Sequence, residues 1–398
     1  MMKTIGILGG GQLGCMLAES LLKLGAKVAF YDPDPNSPSF HRTSKTFCGE
    51  WNDFKKLQEF FSQCDVVTYE FENVSTELLN SMVQLTGTKI YPSPEVLFLT
   101  KNRILEKKFL KENNFPVCDF ATVKEYKKIN ETVKNFNYPY IIKTATGGYD
   151  GKGQWHISNL QEFQNFLNEM PENKFTELII EEKLFIEWEA SCIIARDMKE
   201  EAFSFPIFDN VHQNHILFNT TVPSKISPLI QKKIKEIAIK AASKLNVIGL
   251  LTTEFFITSK KSKNDCQNST DGYFIYVNEF APRPHNSGHI TRNSCNISQF
   301  DMHARILLNL TLHEPKLHAG YYCMGNLLGD TWISQGNNYE LNLEKWKEYP
   351  EIIDIILYGK AEARLNRKMG HFISFSKKSG LHIEVANKFR KSLNEKSS

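Results

Sequence analysis

The stretch "YPYIIKTATGGYDGKGQWHI", residues 138–157, limits the possible folds of this chain more than any other. Two apolar runs flank two glycine clusters, so the pattern reads as strand, glycine-rich turn, strand. A phosphate loop that opens a helix would need a helical period after the glycines, and none follows. The segment therefore predicts a hairpin whose tip can close over an anion. Lys143 stands at the end of an apolar strand, where an unpaired ammonium is costly to bury, and Lys152 adds a second cation in the turn. A plain solvated tip requires neither.

The first residues give a different unit. A short strand over residues 3–9, a helix from about Leu13 to Leu24 ended by Gly25, and a strand from Lys27 to Tyr31 make a βαβ opening. The joint, "GGGQLG", fits G-x-G-x-x-G at Gly9, Gly11 and Gly14, with Asp32 ending the next strand. Such a turn offers main-chain N–H groups and a helix N-terminus to an anion. A dinucleotide is one reading; a turn needing glycine only for close packing is the other. With further strands at Cys64–Tyr69 and Lys89–Tyr91, residues 1–99 read as a Rossmann-like parallel α/β domain. Residues 100–311 read as a second, mixed domain with a lid at about 117–180, and 312–398 as a small β-rich domain ending in a disordered "NEKSS". The polar run 260–272, "KKSKNDCQNSTDG", reads as a long mobile hairpin loop between two apolar strands.

Those two strands, "TTEFFI" and "YFIYVNE", carry Glu254 and Glu279. Antiparallel pairing brings the two carboxylates together, and with Asn278 they suit a hard cation such as Mg²⁺. Two surface acids are the simpler alternative, but the apolar flanks oppose it. The strand exit continues as "APRPHNSGH", crowding Arg283, His285, Asn286, Ser287 and His289 onto one turn. Later, "YGKAEARLNRKMGH" places Lys360, Arg364, Arg367 and Lys368 within nine residues, a solvated stripe or a phosphate clamp.

Bulk properties exclude several classes. A net charge of +3 over 398 residues argues against a nucleic-acid or membrane-surface partner. No apolar run reaches the roughly 18 residues of a spanning helix, and the first residues lack a secretory pattern. Eight cysteines without a CxxC pair read as reduced thiols, and the chain as cytoplasmic.

Taken together, "GILGGGQLG", "TYEFEN", "GGYDGKGQ", "NEFAPRPHNSGH", "NLLGD" and "YGKAEARLNRKMGH" resemble the ATP-grasp enzymes. More closely they resemble the N5-carboxyaminoimidazole ribonucleotide synthases, ATP-dependent carboxylases of purine synthesis. The likeness runs in order from residue 5 to residue 371. It implies an α/β (α+β) ATP-grasp fold, ATP and Mg²⁺ as cofactors, bicarbonate as co-substrate, aminoimidazole ribonucleotide as acceptor, and a homodimer. It implies that Arg103 and Lys143 meet the ATP phosphates and that the flap Gly148, Tyr149, Asp150, Gly151, Lys152, Gly153 and Gln154 closes over them. The hinge Glu181, Glu182, Lys183 and Leu184 would read adenine, Glu189 the ribose, and His212 would lie near the nucleotide. Glu254 and Glu279 would bind Mg²⁺ beside Asn278. Arg283, His285 and Asn286, with Asp150 and Lys152, would be catalytic. Tyr149, Asp150, His285, Gln12 and Leu13 would line the ribonucleotide site, and Lys360 and Arg367 would grip its 5′-phosphate.

Three rivals remain at this stage: a formate-dependent glycinamide ribonucleotide transformylase of the same superfamily, an NAD-dependent oxidoreductase, and a non-catalytic nucleotide-binding protein. Pairing of "GGYDGKGQ" with "PRPHNSGH" favours the carboxylase. Trp188 beside the ribose glutamate and Thr252-Thr253 beside Glu254 depart from the family pattern without removing a proposed group.

Overall fold

The computed structural model describes residues 2–148, 152–262, 269–336 and 339–394. Its first sheet is parallel, in the order Thr46–Cys48, Lys27–Asp32, Thr4–Leu8, Val66–Tyr69, Lys89–Ile90. Every residue of the central strand Thr4–Leu8 is buried, as a parallel strand covered on both faces must be. The helix Gln12–Lys23 turns Leu13, Met16, Leu17 and Leu21 into a core that also takes Phe300, Ala304 and Leu307. Those three belong to the helix Gln299–Leu308, so one apolar cluster fastens the opening α/β unit to the middle of the chain.

The largest sheet has ten strands among the described residues. Trp188–Arg196 pairs antiparallel with Gly249–Thr258, which pairs with Tyr273–Ala281. On its other side the sheet continues through Phe208–Gln213 and Ile216–Val222 into Tyr321–Leu328, Lys368–Ser376 and Ile352–Leu357. The C-terminal strands thus extend this sheet instead of closing one of their own. A helix, Leu381–Leu393, stands where β structure was expected. Val385, Ala386, Phe389 and Leu393 fall at helical spacing and are buried, the signal that the reading passed over. Of the tail, residues 395–398 lie outside the described residues.

A third sheet, Phe120–Val123, Leu178–Glu182, Tyr140–Thr144, Gln154–Ile157, is antiparallel throughout. Lys143 pairs with Gln154, so the glycine segment is the hairpin tip that its pattern predicted. The 260–272 insertion is anchored at both ends. Ser262 is buried, its hydroxyl donates to Glu182, and its N–H donates to the Tyr276 hydroxyl at 2.8 Å. Ser269–Thr270 pairs back onto Tyr273 and Phe274. Residues 263–268 lie outside the described residues.

Two buried histidines sit at the seams. His303 Nε2 meets Thr68 Oγ1 at 3.0 Å, and His371 Nδ1 meets the Tyr358 hydroxyl at 2.9 Å. Burial pushes both imidazoles down to about 3, helped at His371 by Arg292. An unfolded chain binds protons at these residues near pH 6.5, and the folded chain does not. Stability is therefore complete above pH 6.5 and falls as pH drops toward 3, by up to about 1.4 kcal/mol per unit for each histidine. Calorimetry should find a flat Tm from pH 7 to 8 and a falling one below 6.5. His303→Gln should make that fall shallower.

Candidate active site

Between the paired strands Gly249–Thr258 and Tyr273–Ala281 the register slips. Thr253 faces Phe280 and Phe255 faces Val277, so Glu254 stands opposite both Asn278 and Glu279. A bulge of this kind redirects side chains, and here it turns acids toward one cleft. The Glu254 side chain is 14% exposed, and its Oε1 lies 3.2 Å from His285 Nε2. Burial alone would raise its pKa, but His285, His212 and Asn278 hold the carboxyl down to about 2. Glu279 keeps contact with solvent, yet desolvation of its carboxyl, followed by the Glu254 charge, raises its pKa. The pair is thus pulled apart, one acid firmly ionised and the other resisting ionisation. A divalent cation would relieve that repulsion, and hard oxygen donors fit Mg²⁺. Among the described residues no three His, Cys, Asp or Glu side chains converge as a complete metal cage. Two carboxylates with the rest of the shell left to phosphate and water is the usual Mg²⁺ arrangement.

The turn after Glu279 is held rigidly. Gln299, fully buried at the start of its helix, clasps the main chain of His285. Its Oε1 accepts from His285 N–H at 2.8 Å, and its Nε2 donates to His285 C=O at 2.7 Å. Arg283 forms a two-pronged pair with Glu72, Nε at 3.0 Å and Nη2 at 3.1 Å. Asn286 keeps both amide atoms away from solvent and without a protein partner, an unusual state for a buried amide.

The nucleotide-side residues converge on the same cleft. Glu181, buried, lies 2.5 Å from Lys143 Nζ and 3.4 Å from Lys107 Nζ. Burial would raise its carboxyl, but these two ammonium groups bring it down to about 2. Glu181 is therefore an anchor for Lys143 through its carboxylate. Arg103 donates to Thr144 C=O at 3.0 Å and to Gly148 C=O at 2.9 Å, which ties it to the flap base. A Cβ at Gly148 would stand 2.6 Å from the Lys152 carbonyl oxygen and 2.8 Å from that guanidinium, so the main-chain approach requires glycine. Gly153 has φ +66° and accepts from Thr144 N–H at 2.9 Å, while Lys152 is exposed and the Gln154 amide contacts His156. Tyr149, Asp150 and Gly151 lie outside the described residues. Glu182 receives the Ser262 hydroxyl, and Lys183 and Leu184 lead off the strand end, half-buried. Glu189 stands 2.5 Å from His212 Nδ1; burial opposes the charge on His212, and Glu189 more than restores it.

The glycine loop is already filled by the protein's own carboxylates. Gly11 and Gly14 N–H donate to Glu70, the latter at 2.7 Å, and Gly10 N–H donates to Asp32 at 2.7 Å. Added Cβ atoms at Gly9 and Gly11 would collide with Glu70 at 2.5 Å. A dinucleotide pyrophosphate would need those same N–H groups, so the NAD reading fails on this geometry. Burial raises the Glu70 carboxyl, while Gly14, Gly11 and then Lys360 lower it, which brings the basic stripe close to the glycine loop. Lys360 donates to Lys368 C=O at 2.7 Å, and Arg367 to Glu362 C=O at 2.7 Å. Gln12 is half-buried, but the Leu13 side chain packs in the core, so only its main chain is available to a ligand. Glu70 and Glu72 were not singled out from the sequence, although "TYEFEN" held the signal: two acids closing a buried strand.

The chain matches the ribonucleotide synthetase preATP-grasp domain over residues 2–101, the ATP-grasp domain over 108–300, and the phosphoribosylaminoimidazole carboxylase C-terminal domain over 323–380. It is 36% identical over 368 residues to an N5-carboxyaminoimidazole ribonucleotide synthase of Staphylococcus aureus, covering 92% of this chain and 91% of that one. The S. aureus N5-carboxyaminoimidazole synthetase structure complexed with ADP aligns with a TM-score of 0.85 at 34% identity, over 99% of this chain and 97% of that one. The Aspergillus clavatus enzyme in complex with ADP and 5-aminoimidazole ribonucleotide aligns with a TM-score of 0.84 at 25% identity, over 99% of both. With its ATP-grasp fold and near-complete coverage at this identity, the chain belongs to the N5-carboxyaminoimidazole ribonucleotide synthase family of ATP-dependent ligases.

Proposed function

We propose that the protein carboxylates 5-aminoimidazole ribonucleotide at its exocyclic amine, using ATP and bicarbonate, as a step of purine biosynthesis. The observation that carries the reading is the convergence on one cleft of the Glu254/Glu279 pair, the Arg283–His285–Asn286 turn and the Lys143 anchor. A bicarbonate oxygen attacks the γ-phosphorus of ATP, and the bond to the β–γ bridging oxygen breaks to release ADP. The carboxyphosphate so formed breaks at its carbon–oxygen bond, leaving CO₂ and phosphate. The amine nitrogen then bonds to the CO₂ carbon and loses a proton. Arg283 neutralises charge building on the transferred group, and the unpaired amide of Asn286 is free to hold a bicarbonate oxygen. Arg103 and Lys143 position the phosphates, Glu181 orients Lys143, and Glu189 with His212 meets the ribose. Glu254 and Glu279 would hold Mg²⁺, which when bound supplies neutralisation of the β- and γ-phosphates. The flap excludes water from an intermediate that hydrolyses readily.

Gln12, His285, Lys360 and Arg367 would line the ribonucleotide site; Tyr149 and Asp150, assigned to it by the family resemblance, lie outside the described residues. The division into 1–99, 100–311 and 312–398, a homodimeric state and a cytoplasmic place belong to the same reading. Family resemblance supports them, and among the described residues no helix is long and apolar enough to cross a membrane.

The test is ADP release from ATP, Mg²⁺ and bicarbonate, with and without aminoimidazole ribonucleotide. Strong stimulation is expected; stimulation by glycinamide ribonucleotide plus formate instead would favour the transformylase. Lys360→Ala is expected to raise the KM for the ribonucleotide roughly 10- to 100-fold, the worth of a charge-assisted phosphate contact. The KM for ATP should move less than about threefold. A selective effect on ATP would assign Lys360 to the other site.

A further inference from the structure

Two consecutive residues of the helix Arg103–Glu112 reach the main chain on either side of Glu279. Lys107 donates to Asn278 C=O at 2.9 Å and more weakly to Val277 C=O at 3.4 Å. It also forms an ion pair with Glu181 Oε1 at 3.4 Å, which compensates its buried charge. Glu106 accepts from Phe280 N–H at 2.6 Å. Both residues are 2% exposed. The bulge opposite Glu254 takes Asn278 and Glu279 out of the ladder, and their neighbouring main-chain groups need other partners. Glu106 and Lys107 supply them, and so fix the peptides before and after Glu279.

From this geometry we infer that Glu106 and Lys107 are positioning residues: they clamp the bulge so that the Glu279 carboxylate meets Glu254 across the Mg²⁺ position. The inference rests on the metal reading above. The same helix begins with Arg103, tied to the flap base, and Lys107 shares Glu181 with Lys143. One rigid element therefore sets the metal strand, the hinge strand and the flap root at once.

The simpler view is that two buried charges only complete the core. That view predicts lost stability without any change in how metal and nucleotide are linked. The test is isothermal titration of ADP into the protein, with and without Mg²⁺. Glu106→Leu is the cleaner probe, because Lys107→Met also strips Glu181 of one of its two ammonium partners. In the wild type Mg²⁺ should tighten ADP binding. In Glu106→Leu that tightening should shrink at least fivefold while metal-free ADP affinity stays within about twofold. Glu106→Gln, which keeps an acceptor for Phe280 N–H, should restore most of it. Undiminished tightening in Glu106→Leu overturns the clamp, even if Tm falls, and so does an equal loss in Glu106→Gln. If Glu106→Leu does not fold, Glu106→Asp, one methylene too short to reach Phe280, is held to the same expectation. Absence of any Mg²⁺ effect in the wild type overturns the metal assignment, and the clamp with it.

Discussion

Glu279→Gln is expected to lower kcat about a thousandfold or more, roughly 4 kcal/mol of transition-state stabilisation, while the protein folds as before. The amide keeps the shape of the side chain and one oxygen, but it removes the charge that would hold Mg²⁺ against the phosphates. Stability should move the other way. Burial and the Glu254 charge raise the Glu279 carboxyl, so its ionised form costs the folded protein more than it costs the unfolded chain. A group with a raised acid pKa stabilises the fold below its unfolded pKa and loses that stabilisation as pH rises through the folded value. At pH 7 the neutral glutamine should therefore leave Tm unchanged or slightly higher, as expected where a functional site is held in tension. Activity and differential scanning calorimetry on one preparation check both halves. Near-wild-type turnover in Glu279→Gln would sink the metal role. A large drop in Tm would show instead that the two acids support the fold.

Much of this site was legible because it depends on local pattern. Glycine clusters between apolar runs gave the flap hairpin, and Lys143 at a strand end gave a cation that needs a partner. Two acids on strands joined by a polar loop gave the Glu254/Glu279 meeting without any coordinates. What the pattern could not show is the register slip between those strands. Periodicity two would put Asn278 and Glu279 on opposite faces, and only a bulge lets both face Glu254.

Other features escaped for a more general reason. Glu106 and Lys107 look like ordinary helix-surface charges, and nothing local says that their neighbours lie some 170 positions along the chain. Gln299 reads as a polar first-turn residue; its clasp on His285 depends on how two segments fold together. The glycine loop invited a nucleotide because its N–H groups bind anions, and the sequence does not say that the anion is Glu70 from the neighbouring strand. That the C-terminal strands continue the middle sheet was not legible either, because strands are found one at a time and the continuity of a sheet appears only in pairings such as Val222 with Tyr322.

Arg283→Leu is the substitution with the other large expected effect: a loss of about 10³- to 10⁵-fold in kcat, the range seen when a guanidinium that neutralises a transferring phosphoryl group is removed. The argument rests on how this side chain is held. Its Nε and Nη2 engage both oxygens of Glu72, and Nη1 donates to Pro284 C=O at 3.1 Å. A guanidinium fixed in this way is oriented before substrate arrives, which is what electrostatic stabilisation of a short-lived charge requires. Arg283→Lys should rescue little, because an ammonium cannot form the two-pronged pair and its charge would sit elsewhere in the cleft. Glu72→Gln should then show an intermediate defect, with the cation retained but its fork loosened. Arg283→Leu also leaves the half-buried Glu72 unpaired, so some loss of Tm is expected with the loss of rate. The two effects separate in the double variant Glu72→Gln/Arg283→Leu. Removing the stranded carboxylate should return most of the lost Tm and none of the lost kcat. Recovery of rate in that double variant would mean that Arg283 serves only to neutralise Glu72, and that charge on the carboxyphosphate is met by another group.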